Sequence, residues 1–238
     1  MNDKLTIYCC YHRPEDKNDD IPGVQWVFGP DDNMNEFINE FSMFKYILEN
    51  DKDSDYIGTS HYRRRISPNS FDKNLVNEHS CQTMTRLTRD IVGNEYCTDS
   101  FWNLEGWCSN SNLQCPWLWN DYKEYLIGKY GEHNKYLDLN EKQKTDFFEM
   151  LQFSSFIMTR NHFFNLCDFI FGFFDFVDKK YNLQKDPNKV AEFIDKKFEN
   201  YENKIWWVTS YRRIFAYFGE RLVSVYIQAN MDNYTDIW

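Results

Sequence analysis

The 238-residue sequence lacks the cysteine pattern of a small secreted protein held together by disulfide bonds. Its seven cysteines are odd in number and scattered, and no two of them form a Cys-x-x-Cys pair. Because such cysteines are typical of reducing compartments, we expect an intracellular, cytoplasmic protein. The N-terminal residues also lack the apolar stretch of a secretory signal peptide, which agrees with this expectation.

No apolar run is long enough to cross a bilayer, which takes roughly 20 residues. The most apolar stretch spans residues 163–177 and is interrupted by Asp168 and Asp175. We therefore predict a buried helix at this place. The pattern leaves peripheral association with a membrane surface open.

The sequence has no excess of positive charge. Its formal net charge is −10, from 27 Lys and Arg against 37 Asp and Glu. Binding to duplex nucleic acid requires a basic face, so this balance argues against a nucleic-acid partner. Aromatic residues, by contrast, make up 19% of the chain. This content fits stacking on sugar rings or bases, and it also fits an aromatic-rich core.

One short stretch concentrates positive charge within this acidic chain. Residues 55–65 begin as a strand and end in a histidine and three arginines. On an extended chain His61, Arg63 and Arg65 would share one face, because side chains alternate at period two. Guanidinium groups hold phosphate through planar, two-pronged hydrogen bonding, so this strand end favours a phosphate site. The alternative is an exposed basic cluster at a sheet edge.

Hydrophobic periodicity predicts a layered α/β fold in which strands alternate with helices. We expect strands at residues 4–11, at residues 24–28, from about residue 56, and at residues 153–158. We expect helices that begin near residues 33, 120, 162, 187 and 211. The chain shows no internal repeat and no low-complexity linker, and its length suits a single domain over residues 1–238.

The region from residue 67 to about residue 120 shows little periodicity and is rich in Asn, Ser, Cys and Trp. We predict that it is an irregular, aromatic-rich insertion. A long irregular segment within a domain is often functional. Its tryptophans either line a binding groove or hold the loop against the core, and the sequence does not separate these two roles.

Four segments, in order along the chain, resemble a known family. They are residues 39–46 (NEFSMFKY), 55–64 (DYIGTSHYRR), 156–158 (FIM) and 217–222 (YFGERL). The chain is similar to bacterial and viral capsular or exopolysaccharide biosynthesis proteins, which look like glycosyltransferases. The His-Tyr-Arg-Arg block is the specific part of the resemblance, and residues 67–150 match poorly. The first helix departs from the Glu-Leu-Thr-Ala pattern of the family after Glu40.

The resemblance implies a type-A glycosyltransferase fold, which is a single Rossmann-like domain with a central mixed sheet. It also implies a nucleotide-sugar donor and a glycan acceptor. Such folds usually hold a metal and the donor diphosphate on an Asp-x-Asp motif, whereas His61, Tyr62 and Arg63 fall near that place here. The sequence therefore requires no cofactor, although Mn²⁺ or Mg²⁺ is compatible with it. The literal Asp-x-Asp at Asp53 and Asp55 precedes the strand and is typical of a turn.

The implied transfer reaction gives candidate residues for a donor site and for an acceptor base. The donor-binding candidates are Tyr8, His12, His61, Arg63, Arg64, Ser154, Ser155 and Arg221. The imidazole and guanidinium groups would stabilise charge on the leaving diphosphate. A base for the acceptor hydroxyl would come from Glu220, Asp146 or Glu149, and the Trp-rich region would form the acceptor groove. The alternative to a functional role is that His12 is an ordinary residue at a strand end and that Glu220 belongs to a solvated helix face.

Two other functions stay open at this stage. A phosphate-handling hydrolase would use His61 with acidic residues, but the spacing predicts no cluster of metal ligands. A noncatalytic module that binds a glycan or a nucleotide would keep the arginines and would tolerate the loss of Glu220.

Overall fold

The computed structural model describes residues 4–13, 15, 17, 23–28, 41–61, 65–84, 88–89, 95–96, 103–110, 115–144, 151, 154–199 and 211–237. These ranges form an α/β structure with a mixed six-stranded sheet and seven α-helices. The predicted fold class, an α/β chain with a central mixed sheet, is confirmed at this level. Four of the proposed site residues lie outside the described ranges: Arg63, Arg64, Asp146 and Glu149.

Four of the strands and five of the helices lie where the periodicity predicts them. The start that it predicts for the first helix, near residue 33, lies outside the described residues. The strands are β1 (Leu5–Tyr11), β2 (Val24–Phe28), β3 (Tyr56–His61), β4 (Ser80–Thr83), β5 (Thr88–Arg89), β6 (Glu95–Tyr96), β7 (Phe156–Thr159) and β8 (Asn233–Asp236). The helices are α1 (Phe41–Asn50), α2 (Leu104–Asn110), α3 (Pro116–Tyr130), α4 (Lys135–Lys142), α5 (Arg160–Tyr181), α6 (Pro187–Lys197) and α7 (Ile214–Asn230).

The central sheet has the strand order β2-β1-β3-β7-β4-β8. Strands β1, β2 and β3 are parallel to one another, β7 runs antiparallel to both β3 and β4, and β8 is parallel to β4. The carboxyl ends of β1, β2, β3, β4 and β8 therefore lie at one edge of the sheet, together with the start of β7. We call this the carboxyl edge and the opposite one the amino edge.

Most of the aromatic residues that the structure describes form the core. One face of the sheet contributes Tyr8, Cys10, Ile57, Phe156 and Met158 to a large cluster with the helices. The helices supply fully buried rings to this cluster: Phe41, Phe44, Tyr122, Phe163, Phe169, Phe173, Phe215 and Phe218. The other face is covered by a smaller cluster around Ile7, Ile66 and Ile157. The high aromatic content is thus explained largely by packing.

Helix α5 is the long buried helix that the apolar stretch predicts. The Thr159 hydroxyl accepts from His162 N–H at 3.4 Å at its start, and Asn182 ends it in the left-handed conformation, with φ of 53°. Among the helices that the structure describes, none combines the length and the apolar character needed to cross a membrane.

The region from residue 67 to residue 120 contains regular elements that its sequence did not predict. Strand β4 lies within the central sheet, although three of its four residues are polar and Cys81 is the exception. Its polar groups are satisfied by neighbours: Gln82 Nε2 donates to Ser70 O at 3.0 Å, and Gln82 Oε1 accepts from Asp72 N at 2.9 Å. Because its polar residues are stabilised by hydrogen bonds, this strand lacks the alternation of apolar and polar residues from which strands are predicted.

A buried carboxylate stabilises the amino edge of the sheet. Asp51 Oδ2 accepts from Tyr8 Oη at 2.7 Å and from Ser54 Oγ at 2.6 Å. Asp51 Oδ1 accepts from Ser54 N at 3.1 Å and from Arg160 Nη1 at 2.5 Å. Burial opposes ionisation of this carboxyl, but the hydrogen bonds outweigh burial and lower its pKa to about 2. Asp51 therefore links β1, the segment before β3 and α5.

The first prediction concerns Asp51. Replacing it in Asp51→Asn should lower the free energy of unfolding at pH 7 by about 2 kcal/mol, because the folded-state pKa lies below the ordinary value of 3.8. This contribution is present above about pH 4 and is lost as the pH falls through 2. Urea unfolding of both proteins at pH 7 and between pH 4 and pH 2 measures it.

The control for this prediction is Asp53→Asn, since Asp53 is exposed and pairs only loosely with Lys4 at 3.6 Å. This variant should unfold at nearly the wild-type urea concentration at every pH. If both variants lost the same free energy of unfolding, the burial of Asp51 would make no contribution to stability.

Candidate functional site

The carboxyl edge brings together four of the residues predicted to bind the donor. His12 follows β1, His61 ends β3, and Ser154 and Ser155 immediately precede β7. The register pairs Thr59 with Phe156, and its continuation places Ser154 opposite His61. The His12 and His61 ring centroids are 6.3 Å apart. Two imidazoles and a serine turn therefore meet where ligands of open α/β sheets usually bind.

The turn that carries Ser154 and Ser155 has a strained backbone held by side chains of the neighbouring strands. Ser154 has a positive φ of 52°, which is uncommon for a residue with a side chain. Its carbonyl accepts from Thr59 Oγ1. The Ser155 carbonyl accepts from Thr83 Oγ1 at 3.0 Å and from Met84 N at 3.2 Å. The sheet thus fixes both carbonyls of the turn.

The Ser154 hydroxyl is a buried polar group in the described part of the chain that has no hydrogen-bond partner. The residue is only 4% exposed. A buried hydroxyl without a partner costs on the order of 1–3 kcal/mol, and strain combined with such a cost is typical of functional sites.

The accessible part of the carboxyl edge lies at the ends of β1 and β2. His61 is only 9% exposed, whereas His12 and Tyr11 are half-buried and Phe28 is 51% exposed. The Tyr11 and Phe28 rings contact each other, with centroids 5.3 Å apart. Sequence reasoning missed these two aromatic residues. Their position as the last residues of two parallel strands is the signal that points to them.

Arg65 does not share a face with His61, so that prediction is wrong. Strand β3 spans Tyr56–His61, and Ile66 N donates to Ser60 Oγ at 3.0 Å, so Ile66 lies beside the end of this strand. The Arg65 guanidinium lies 5.4 Å from the centre of the Trp26 ring. The register places Trp26 and Ser60 on the face opposite His61. The prediction failed because it assumed that the strand continued.

Two further donor-binding candidates have contacts that support the fold. The Tyr8 hydroxyl donates to Asp51 on the amino-edge side, and burial raises the pKa of Tyr8. The Arg221 guanidinium lies 3.9 Å from the centre of the Trp107 ring and donates to Tyr217 O at 2.9 Å. These contacts direct the Tyr8 hydroxyl away from the carboxyl edge and hold the Arg221 guanidinium within the helical layer.

Glu220 is the candidate base that the structure describes. It is half-buried on α7, four residues before Ser224. Ser224 Oγ accepts from Leu151 N at 3.0 Å, and Leu151 leads into the serine turn. Residues four apart on a helix share a face, so Glu220 lies one turn before Ser224 on the face of α7 that binds Leu151.

In the described ranges, a metal site would require a cluster of ligand groups, and an enclosed ligand site would require a cavity. Within those ranges, no three histidine, cysteine or carboxylate side chains come together as a metal site would require. One cavity of about 550 Å³ lies between α1, α5 and the start of α6. Another, of about 650 Å³, lies at the amino edge beside Ser54, Glu78 and Arg160. Neither cavity is lined by His12, His61, Ser154 or Ser155.

Comparison with known proteins gives a likeness of fold. Neither a family model nor a curated protein sequence matches the chain. Among solved structures, the chain is similar to one described as the apo form of the WbbM bifunctional glycosyltransferase, with a TM-score of 0.57 and 14% identity. The similarity covers 95% of this chain and 42% of that chain, so this chain spans less than half of the length of the protein it matches. At this identity the likeness concerns the fold alone.

The second prediction concerns the strain at Ser154. Ser154→Gly should raise the free energy of unfolding by about 1 kcal/mol, because glycine tolerates a positive φ and carries no hydroxyl to bury. Urea unfolding measures the change. The adjacent variant Ser155→Gly is the control, since Ser155 is not among the residues with positive φ. It should lower the stability, and a loss in both variants would contradict the interpretation of strain.

Proposed function

We propose that the chain is a glycosyltransferase that moves a sugar from a nucleotide-diphosphate donor to a glycan or polysaccharide acceptor. We further propose that it has a type-A fold in a single domain. The convergence of His12, His61 and the strained serine turn at the carboxyl edge is the observation that carries the proposal. The likeness of the fold to a structure described as a glycosyltransferase supports it.

The histidines would bind the donor diphosphate. Imidazole N–H groups donate hydrogen bonds to phosphate oxygens, and they would stabilise the negative charge that develops on the leaving diphosphate. Arg63 and Arg64 follow His61 closely in sequence and would add guanidinium groups to the same place. Ser154 and Ser155 immediately precede β7 and lie at the same edge of the sheet as His61. The proposal requires no metal and is compatible with Mn²⁺ or Mg²⁺.

Glu220 would act as the base that removes the proton of the acceptor hydroxyl, with Asp146 and Glu149 as the other candidates. The tryptophans at positions 107, 117 and 119 pack within the helical layer. We therefore do not assign the acceptor groove to them. Cytoplasmic location and peripheral association with a membrane stay predictions.

The third prediction tests the donor site. Nucleoside diphosphates at about 100 times their Kd should raise the Tm of the wild-type protein by about 5–10 °C, because a ligand that binds only the folded chain stabilises it. Thermal shift measurements with and without Mn²⁺ detect this effect. In His61→Gln and in Arg63→Ala most of the shift should disappear.

His79→Gln is the matched control for the donor-site test. His79 is exposed next to the start of β4, at the amino edge, and its Nδ1 lies 3.5 Å from Asp232. This variant should keep the full shift. If no nucleotide shifts the wild-type protein, the proposed donor site is wrong.

The fourth prediction separates a transferase from a binding module. Glu220→Gln should lower the rate of sugar transfer by at least about 100-fold, since a general base contributes roughly that much. It should leave the thermal shift with a nucleoside diphosphate unchanged. A mass-resolved transfer assay with a panel of nucleotide sugars measures the rate. Glu132→Gln, an exposed carboxylate beyond α3, is the control. An unchanged rate in Glu220→Gln would remove this residue from the mechanism.

A further inference from the structure

The exposed aromatic residues at the carboxyl edge are a feature that the proposed chemistry does not use. Phe28 leaves 51% of its surface exposed at the end of β2, and Tyr11 contacts it from the end of β1. Trp26 extends this strip, since its ring lies 6.1 Å from that of Tyr11. Phe28 is exposed, and Tyr11 and Trp26 are half-buried. Partly exposed rings that contact one another are typical of a binding surface, whereas single exposed rings are not.

The distance between this strip and the histidines sets the length of a ligand that could contact both. Tyr11 pairs with Phe28, and its neighbour Cys10 pairs with His61, so the three strand ends lie nearly level. Because adjacent strands are about 4.8 Å apart, β2 and β3 are separated by roughly 10 Å. Phe28 and His61 lie on opposite faces of the sheet. A ligand that reaches both must therefore lie across the strand ends.

We propose that Phe28 and Tyr11 form the platform on which the base of the nucleotide donor stacks, while His12 and His61 hold its diphosphate. This inference rests on the proposed function and assigns the orientation of the donor in that site. A nucleoside diphosphate carries a flat aromatic ring at one end and two phosphates at the other, separated by a ribose that spans the intervening strand end. Stacking on a ring tolerates any base, since every base has a π-face.

A glycan fits the same surface less well. A sugar ring could stack on Phe28, but a neutral glycan carries no anionic group for the two adjacent imidazoles to bind. The nucleotide satisfies the aromatic strip and the histidines with one molecule. The chemistry of the edge therefore favours the donor over the acceptor as the occupant of the platform.

The fifth prediction tests this orientation by calorimetric titration of the full chain with a nucleoside diphosphate and with inorganic pyrophosphate. In Phe28→Ala the affinity for the nucleoside diphosphate should fall by about tenfold to a hundredfold, which is the usual effect of losing one stacking ring. The affinity for pyrophosphate should stay at the wild-type value. Phe28→Trp should retain nucleotide binding, because its ring still stacks.

Leu75→Ala is the control, since Leu75 is an exposed apolar residue away from this edge, and it should bind both ligands like the wild type. Unchanged nucleotide affinity in Phe28→Ala, together with a loss in His61→Gln, would overturn the platform but leave the donor site intact. Weaker binding of an oligosaccharide but not of the nucleotide in Phe28→Ala would assign the strip to a glycan and would also overturn it. No nucleotide binding by the wild type would overturn the proposed function itself.

Discussion

The antiparallel course of β7 between β3 and β4 is the constraint on which the candidate site depends. A parallel strand here would start at the amino edge, and Ser154 would then lie far from the histidines. The antiparallel strand instead brings the serine turn to the carboxyl edge. Thr59 and Thr83 donate to the two carbonyls of the turn from either side. Their hydroxyls supply hydrogen bonds that the strand ladder does not provide, and so hold a backbone that is otherwise unfavourable.

The two edges of the sheet differ in how their polar groups are satisfied. At the amino edge the Asp51 carboxylate has partners on both oxygens, and its charge is matched by Arg160. At the carboxyl edge Ser154 buries a hydroxyl without a partner, and Phe28 exposes half of its ring. The Asp51 carboxylate is thus fully satisfied, whereas the Ser154 hydroxyl at the opposite edge is not. A buried hydroxyl without a partner, on a residue with positive φ, is typical of a functional site.

The sequence predicted the elements and residues whose positions depend on local pattern. Apolar runs identified β1, β3 and α5, and the common edge of parallel strands brought His12 and His61 together. Other positions depend on partners distant in the chain. Asp51 binds the Tyr8 hydroxyl from 43 residues away, and Trp107 covers Arg221 from another helix. Strand β4 depends on side-chain hydrogen bonds with a preceding loop. No spacing rule specifies such contacts, so they became visible only in the folded chain.

The aromatic residues of this acidic chain have two kinds of neighbour. In the helical layer, rings pack against cations: Arg221 lies on Trp107, and the Lys197 ammonium lies 5.1 Å from the centre of the Trp117 ring. Such contacts stabilise a cation against a ring face, so part of the positive charge of the chain serves packing. The rings of Tyr11 and Phe28 contact each other instead and remain partly open to solvent. Most aromatic residues thus build the core, and those at the strand ends are available to a planar ligand beside the imidazoles.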